Sequence, residues 1–426
     1  MYMTHPFNCI TPPHLLKNLL QSDDAIVREA AMRTLIASSA VRAVRKFRPT
    51  LVGLTAPENG WRNIWDAGQA EMKESAKFAR SETGQPVSDA SVNRAFDDLG
   101  TTRKFYADVL GRNSIDGLGM RLDGYVHWSY HLNNAMWDGH AMLFGDGDGV
   151  MFSDLTGALD VVGHELTHGV TQTTAGLAYH DQPGALNESI SDVFGSLVKQ
   201  WNKNQTADQA DWLIGAEVFT PGFAGDALRS MKDPGHAYNN PQMGKDQQVA
   251  HMRDYIIKPA TYEGDYGGVH LNSGIPNKAF YLVATNIGGQ AWKTPGHIWY
   301  ESLKASSPES DFQQFAETTT AKAAQLYGVD TQRVVQDAWE QVGIQLRGQL
   351  PRTVAPVADG YEALQKQLDK LAKDVEALTK EVRGSRRPAA KPTPAVGDKT
   401  SRAVKTVVRD KGNRKVKSVG ADGKAT

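Results

Sequence analysis

The chain has 426 residues, 40% of them hydrophobic and 22% charged, which predicts a globular protein of two or three domains with a sizeable core. It lacks an apolar run of about 18 residues, which argues against a membrane span, and its one cysteine, Cys9, excludes an intramolecular disulfide. The start lacks a basic segment followed by an apolar one. We therefore expect cytoplasmic synthesis without a secretory signal, with extracellular export by a non-classical route left open.

The first region, residues 1–50, combines a proline-containing start with a predicted helix. The stretch "SDDAIVREAAMRTLIAS" spaces its apolar residues as a helix does, and Ser22 or Asp23 could cap it. The region ends in the basic "RAVRKFRPT", which we expect to be exposed.

The next two regions differ in their periodicity. Residues 51–158 contain strand-like segments, "GYVHWSYHL" and "HAMLFGD", and one probable helix, "SVNRAFDDLGTTRKFYADVLG". Residues 159–350 are mostly helical in pattern, with five helical segments: "ALDVVGHELTHGVTQTT", "GALNESISDVFGSLVKQWN", "GIPNKAFYLVATNIG", "TPGHIWYESLKAS" and "DFQQFAETTTAKAAQLYG". The order predicts an α+β fold with a sheet-rich lobe followed by a helical lobe.

The last region, residues 351–426, looks like an appendage. A segment with leucines near heptad spacing precedes a polar stretch that we expect to be disordered. From Gly384 onward this tail carries a net charge of +9, so the rest of the chain carries −10. Charge alone would let the tail contact anionic partners, although a solvated extension is the simpler interpretation.

The stretch "VVGHELTHGVT" suggests a zinc site. His164 and His168 are four residues apart, so a helix places both imidazoles on one face. Glu165 lies roughly 100° around the same helix, within reach of a metal-bound water. The alternative is a helix that contains two histidines by coincidence.

A third ligand follows in "GALNESISDVFG". Glu188 would complete a set of two histidines and one glutamate, which leaves a fourth position open as a catalytic zinc requires. Asp192 and Asn187 could accept hydrogen bonds from the two ligating imidazoles and so fix their tautomers. Two helical motifs in this order favour a metal site over a solvated helix face.

These two motifs resemble those of the thermolysin family of neutral zinc metallopeptidases. The resemblance continues through "NNAMWDG", "AGLAYH", "TPGFAGDALRSMKDP" and "DYGGVHLNSGIPNKAFYL", and it covers roughly residues 60–350. The start "CITPPHLL" is similar to the short propeptide of the protealysin-like subgroup. The resemblance implies a two-lobed α+β zincin with the metal in the cleft between the lobes.

The family pattern also implies roles for other residues. Glu165 would act as general base on the water, while Tyr179 and His270 would stabilise the tetrahedral oxyanion and Asp265 would hold His270 protonated. Asn134 and Ala135 match positions that bind the substrate backbone, and Arg229 matches a residue that contacts a substrate carbonyl. A hydrophobic pocket after the scissile bond would be formed by Phe152, Leu155, Val161, Ile214, Val218 and Leu228.

The sequence departs from the family at the double calcium site. The matching positions are Asp160, Lys199, Asp211, Leu213 and Ala216. Because Ca²⁺ needs six to eight oxygen ligands, several of them charged, we expect no double site and expect the Lys199 ammonium to lie between the two aspartates. A weaker calcium position near Thr220 and Asp226 is left open. We interpret "GDGDG" at 145–149 as a turn supported by glycine.

The N-terminal segment should act in cis as an inhibitory propeptide. Pro12 and Pro13 would set an extended conformation that lets neighbouring residues occupy the cleft. Removal is expected around residues 44–55. A Cys9 thiolate that approaches the zinc is the less favoured alternative.

The leading hypothesis is therefore a zinc endopeptidase that cuts peptides and proteins on the amino side of hydrophobic residues. A zinc-stabilised protein that binds peptides without cutting them is the main alternative, and the presence of Glu165, Tyr179 and His270 argues against it. A gluzincin aminopeptidase would need acidic residues to hold a free amine, and no motif supplies them.

Overall fold

A six-stranded sheet organises the first half of the molecule. The computed structural model describes residues 8–47 and 61–346, which all fall within one compact unit. The strands of the sheet are β1 (Asn8–Cys9), β2 (Arg62–Asp66), β3 (Lys77–Ser81), β4 (Leu122–Val126), β5 (Ala135–Trp137) and β6 (Ala141–Phe144). They lie in the order β1-β5-β6-β4-β2-β3, in which the pairs β2–β4 and β4–β6 are parallel and the other pairs are antiparallel.

The second half of the molecule is mainly helical. The helices of the described residues are α1 (Pro13–Leu19), α2 (Ala25–Phe47), α3 (Ala90–Leu110), α4 (Leu159–Gln172), α5 (Asp181–Asn202), α6 (Asp265–Asn272), α7 (Gly274–Ile287), α8 (Thr294–Ala305), α9 (Phe312–Tyr327) and α10 (Val329–Gln341). Two small hairpins pair β7 (Leu213–Ile214) with β8 (Arg229–Ser230) and β9 (Asn239–Asn240) with β10 (Gly244–Lys245). The expected α+β architecture is thus confirmed. The boundaries of the four sequence regions stay a prediction, and the tail beyond 350 lies outside the described residues.

Two glycines let α4 and α5 pack closely. A Cβ on Gly195 would lie 2.4 Å from the carbonyl oxygen of Asp160, and a Cβ on Gly163 would lie 3.0 Å from the Cα of Gly195. A side chain at either position would press against the backbone of the other helix, so glycine at both positions lets the two helix backbones approach closely. α4 is buried from Asp160 to Thr171, as expected for a helix at the centre of the molecule.

Three local predictions were wrong or incomplete. The residue that caps α2 is Asp24 and neither Ser22 nor Asp23, because the Asp24 Oδ1 accepts from the backbone N–H groups of Ile26 and Val27 at 2.8 and 3.4 Å. Pro12 is extended as expected (φ −72°, ψ 152°), but Pro13 already begins α1. α10 was not anticipated, although it buries Val335, Ala338 and Trp339 on one face.

The predicted strand "GYVHWSYHL" continues only to Val126. After it, His127, Ser129 and His131 have φ values of 53°, 59° and 53°, in the left-handed region that a strand cannot contain. His127 bonds to Asp146 at 2.7 Å and to Asp89, the N-cap of α3, at 2.9 Å. These two contacts hold the segment as a loop.

Within residues 8–47 and 61–346, each helix is either too short or too polar to cross a lipid bilayer.

Candidate active site

Three buried side chains from α4 and α5 converge at the centre of the molecule. The Nε2 atoms of His164 and His168 are 3.0 Å apart, and the carboxylate of Glu188 lies 3.5 Å from the first and 3.6 Å from the second. All three residues are fully buried. Among the described residues, no other group of three His, Cys, Asp or Glu side chains converges in this way.

The hydrogen bonds around the two imidazoles suit a metal ion. The carboxylate of Asp192 can only accept, so His164 donates from Nδ1 at 2.9 Å. Asn187 donates its amide N–H to the carbonyl of Leu177 and therefore presents its oxygen to His168 Nδ1 at 2.8 Å. The two Nε2 atoms face one another on the side where a metal ion would lie.

Glu188 adds the negative charge that such a site needs. Its Oε2 is buried and forms no hydrogen bond within the described part of the chain. Two imidazole nitrogens and a carboxylate so close together form the set of ligands that Zn²⁺ prefers. The residues therefore fit a zinc ion.

Tyr179 and His270 lie at the rim of this cluster. The Tyr179 hydroxyl donates to Glu188 and lies 3.4 Å from His270 Nε2. His270 donates from Nδ1 to Asp265 at 2.6 Å. Burial would lower the pKa of His270, but the charges of Glu188 and Asp265 outweigh it and raise the pKa to about 9. Burial raises the pKa of Tyr179 well above 10, so both side chains are proton donors near neutral pH.

An unusual backbone turn brings Asp265 to His270. Residues 265–268 all have positive φ, at 55°, 50°, 92° and 79°. Two of the four are Gly267 and Gly268, which adopt this conformation without strain, whereas Asp265 and Tyr266 do not. The backbone N–H of His270 also donates to Asp265 at 3.0 Å, which helps to hold the turn.

Glu165 lies beside the metal cluster on the next position of α4. It is fully buried, and its Oε2 accepts from the backbone N–H of Trp137 at 2.9 Å. Because Trp137 belongs to β5, this bond ties the carboxylate to the strand that borders the cleft.

The N-terminal segment occupies the cleft. β1 pairs antiparallel with β5, so that Asn8 is opposite Trp137 and Cys9 is opposite Met136. The thiol of Cys9 faces the carbonyl of Thr11 at 3.5 Å, and Cys9 is not part of the three-residue metal cluster.

Helix α2 packs over the same part of the sheet. The hydroxyl of Thr34 accepts from the backbone N–H of Asn133 at 2.9 Å, and the hydroxyl of Ser38 accepts from Asn134 at 3.3 Å. Residues from both N-terminal elements thus cover the loop that leads into β5.

Arg229 connects the N-terminal segment to the metal site. Its guanidinium donates to the carbonyl of Ile10 at 3.0 Å and forms two bonds of 2.9 and 2.7 Å to Asp192. Asp192 in turn accepts from His164, one of the candidate metal ligands. The side-chain amide of Asn277 donates to the same carboxylate at 2.9 Å.

The six apolar residues of the expected pocket are all buried and belong to the main hydrophobic core. Ile214 lies opposite Arg229 in the β7–β8 hairpin, and Leu228 donates its backbone N–H to Ile214 at 3.0 Å. The backbone N–H of Ser153, which follows Phe152, donates to the carbonyl of Val218 at 2.8 Å.

Lys199 takes the position predicted for it. Its ammonium lies 2.8 Å from Asp160 and 3.2 Å from Asp211, and it also donates to the carbonyl of Leu213 at 2.9 Å. The Thr220 hydroxyl donates to the carbonyl of Val150. Whether calcium binds anywhere in the chain stays a prediction.

The "GDGDG" segment is a turn. Asp148 accepts from the backbone N–H groups of Val150, Met151 and Phe152 at 2.7–3.0 Å. Gly147 and Gly149 both have φ of 72°, which explains why glycine stands at these two positions.

Sequence reasoning missed several residues that support the site. Ser191 lies 2.9 Å from His168 Nδ1, and Gln248 donates to the carbonyl of His270 at 2.9 Å. The position of Ser191, three residues after Glu188 on one helix, was a usable signal. Gln248 and Asn277 gave none, since their contacts cross long sequence distances.

A buried pair of histidines with a glutamate, a second glutamate beside them and a neighbouring strand that pairs with extended chain are the features of a zinc-dependent peptide hydrolase.

Comparison with known proteins identifies the family. The model for the thermolysin metallopeptidase catalytic domain matches residues 58–172, and the model for its alpha-helical domain matches residues 175–344. An extracellular metalloprotease of Pectobacterium carotovorum subsp. carotovorum is 43% identical over 347 residues, which cover 81% of this chain and 98% of the relative. The protease PrtS of Photorhabdus sp. (strain Az29) is 40% identical over 79% of this chain and 92% of its own length.

A solved structure agrees with these relatives. The precursor of protealysin, a metalloproteinase from Serratia proteamaculans, has 44% sequence identity and a TM-score of 0.71, with 79% of this chain and 99% of that one covered. The chain belongs to the thermolysin family of metallopeptidases, within its protealysin-like subgroup. It is therefore an enzyme of a zinc-dependent family, as the sequence predicts.

Proposed function

We propose that the chain is a neutral zinc endopeptidase that cuts on the amino side of hydrophobic residues and is made as a precursor inhibited by its own N-terminal segment. The observation that carries this proposal is the convergence of His164, His168 and Glu188 beside Glu165, directly below a strand that pairs with extended chain.

The proposed reaction needs a base and a proton carrier. Zinc held by the three ligands would supply a water molecule of lowered pKa and polarise the scissile carbonyl. Glu165 accepts the proton of the attacking water and passes it to the nitrogen of the leaving amine. Its bond to the Trp137 N–H keeps the carboxylate oriented toward the strand that holds the substrate.

Tyr179 and His270 stabilise the negative charge that develops on the carbonyl oxygen. Both are proton donors at neutral pH, and Asp265 keeps the imidazole charged and oriented. Such a donor typically contributes about 3 kcal/mol to the transition state.

Substrate would bind as an added strand along β5, with Asn134 and Ala135 bonding to its backbone and Arg229 to the carbonyl after the scissile bond. The apolar pocket of Phe152, Leu155, Val161, Ile214, Val218 and Leu228 would then accept Leu, Phe, Ile or Val.

The N-terminal segment inhibits by occupying this same strand position, and its removal around residues 44–55 would open the cleft. The window overlaps the end of α2 at Phe47, and residues 48–60 lie outside the described residues. The compartment in which the active form works stays a prediction, as do contacts of the basic tail.

Digestion of casein by the matured protein tests the proposal. We expect loss of activity on zinc chelation and recovery on zinc addition. In Glu165→Gln the rate of digestion should fall by at least about 100-fold. A set of N-acetylated peptides should be cut before Leu, Phe, Ile or Val. Binding without cleavage would indicate a peptide-binding protein, and cleavage only at free amino ends would indicate an aminopeptidase.

A further inference from the structure

We infer that the chain holds its own N-terminal segment as a substrate and hydrolyses the peptide bond between Cys9 and Ile10. This inference rests on the proposed function and adds to it a defined self-cleavage site, which is distinct from the removal of the whole segment around residues 44–55.

The two carbonyls on either side of this bond are both held by residues of the site. The Cys9 carbonyl lies 3.3 Å from His270 Nε2, the proposed oxyanion donor, which itself lies 3.5 Å from Glu188. The Ile10 carbonyl accepts from Arg229 at 3.0 Å. The bond between them therefore lies between the proposed oxyanion donor and the proposed anchor for the next carbonyl.

The backbone N–H groups fix the register and the direction of the segment. The N–H of Ile10 points to the carbonyl of Ala135 at 3.4 Å, and the N–H of Thr11 donates to the Asn134 side chain at 3.1 Å. The β1–β5 pairing continues upstream to Asn8. The segment thus extends to both sides of the metal cluster, as a substrate does.

The side chain that follows the bond fits the proposed specificity. Ile10 is completely buried and belongs to the same hydrophobic core as the six pocket residues. A β-branched apolar residue on the carboxyl side of the bond is one of the four that the proposed pocket accepts.

Downstream contacts would keep the cleaved segment in place. Asn18 of α1 donates to the carbonyl of Met243 at 2.7 Å, and Thr11 donates to that of Asn133 at 2.8 Å. Cleavage would release residues 1–9 and leave the segment from Ile10 onward bound, so inhibition would outlast the cut.

The step is an ordinary hydrolysis that needs only water. The water oxygen bonds to the Cys9 carbonyl carbon, the carbon–nitrogen bond to Ile10 breaks, and Glu165 carries the proton to the departing nitrogen. The products are a carboxylate on Cys9 and an amine on Ile10.

N-terminal sequencing and intact mass of the zinc-loaded full chain, followed over hours, test the inference. We expect a new N-terminus at Ile10 that forms at least about 100-fold more slowly in Glu165→Gln and is lost in Ile10→Asp, whose charge the apolar pocket rejects. In a parallel measurement, the matured enzyme receives a synthetic peptide of residues 4–16, which avoids any folding defect of a variant.

A cut at Cys9–Ile10 in the chain or the peptide, dependent on Glu165, supports the inference. Casein digestion together with an intact Cys9–Ile10 bond in both chain and peptide overturns it while the proposed function stands. Failure to digest casein overturns the proposed function, and the inference falls with it.

Discussion

Arg229 and Asp192 form a two-bond ion pair in which the side chains are 3% and 0% exposed. The same carboxylate orients His164, one of the three side chains that could hold a metal ion. A group proposed to bind substrate and a group proposed to bind zinc therefore depend on one buried acceptor.

Replacing Arg229 by Met should destabilise the fold by about 3–5 kcal/mol, because it leaves the buried charge of Asp192 without the guanidinium that balances it. Urea unfolding in the Glu165→Gln background, where self-digestion is blocked, measures the change. Arg253→Met is a matched control, since Arg253 is 75% exposed in its pair with Asp254 and should cost less than about 0.5 kcal/mol. Equal losses in the two variants would contradict the argument.

Gly195→Ala should separate α4 from α5. Its methyl group would meet the carbonyl of Asp160 at 2.4 Å and the backbone nitrogen of His164 at 3.0 Å, so we expect a loss of about 1–3 kcal/mol and weaker zinc binding. Thermal unfolding with and without zinc measures both effects. Gly222→Ala is the control, because a Cβ there meets nothing within 4 Å. Alanine favours a helix over glycine by about 1 kcal/mol, so a more stable Gly195→Ala would refute close packing at this point.

Lys199→Met should destabilise the chain by about 3–5 kcal/mol, because Asp160 is fully buried and its charge would lose the ammonium. Lys203→Met removes a pair with Glu217 that is 48% and 40% exposed, and it should change little. Unfolding by guanidinium chloride compares the two. A full recovery of Lys199→Met by millimolar calcium would show that the ion can replace the lysine, and a stability equal to that of Lys203→Met would contradict the prediction.

Acid should weaken the hold of the N-terminal segment through His14. Nδ1 of His14 is buried without a hydrogen-bond partner in the described part of the chain. Burial lowers the pKa of His14 from 6.5 to about 4; Asp265 opposes the shift, while His270, Lys258 and Arg229 favour it.

The direction of this pH effect depends on whether the released or the bound segment takes up the proton more readily. The released segment has the ordinary pKa of 6.5, so it gains a proton as the pH falls below 6.5, whereas the bound segment resists protonation down to about pH 4. Inhibition is therefore full above pH 6.5 and weakens about tenfold by pH 5.5.

The activity of the unprocessed chain divided by that of the matured enzyme, on a chromogenic peptide, isolates this effect from the pH dependence of catalysis. The ratio should rise between pH 7 and 5.5 in the wild type and stay flat in His14→Gln. A rise of equal size in both would assign the effect to another group.

The candidate metal site could be predicted from the sequence because its geometry is mostly local. His164, His168 and Glu165 lie within one helix, where spacing determines direction. Glu188, Asn187 and Asp192 occupy one stretch of the following helix. The one long-range feature of the site is the packing of α4 against α5. Glycines in a sequence do not by themselves identify the close contact that they permit.

The loop after β4 shows where the alternation of residues fails to predict the secondary structure. Alternating residues in "HWSYH" have the period of a strand, but the chain there adopts left-handed conformations that His127 maintains through contacts with Asp89 and Asp146. Such contacts leave no periodic signal. The N-cap of α2 was misplaced for a different reason, since Ser22, Asp23 and Asp24 are equivalent acceptors on sequence alone.

The antiparallel pairing of β1 with β5 has a consequence for the substrates of the proposed mature enzyme. Once the segment leaves, β5 offers main-chain groups, the carbonyl of Ala135 among them, that an extended stretch of polypeptide can pair with. Helices and paired strands of a folded target keep those groups occupied. The rate at which native proteins are cleaved should then depend on how often a local segment unfolds. A compact target should resist cleavage under conditions in which a partly unfolded protein of the same sequence is degraded.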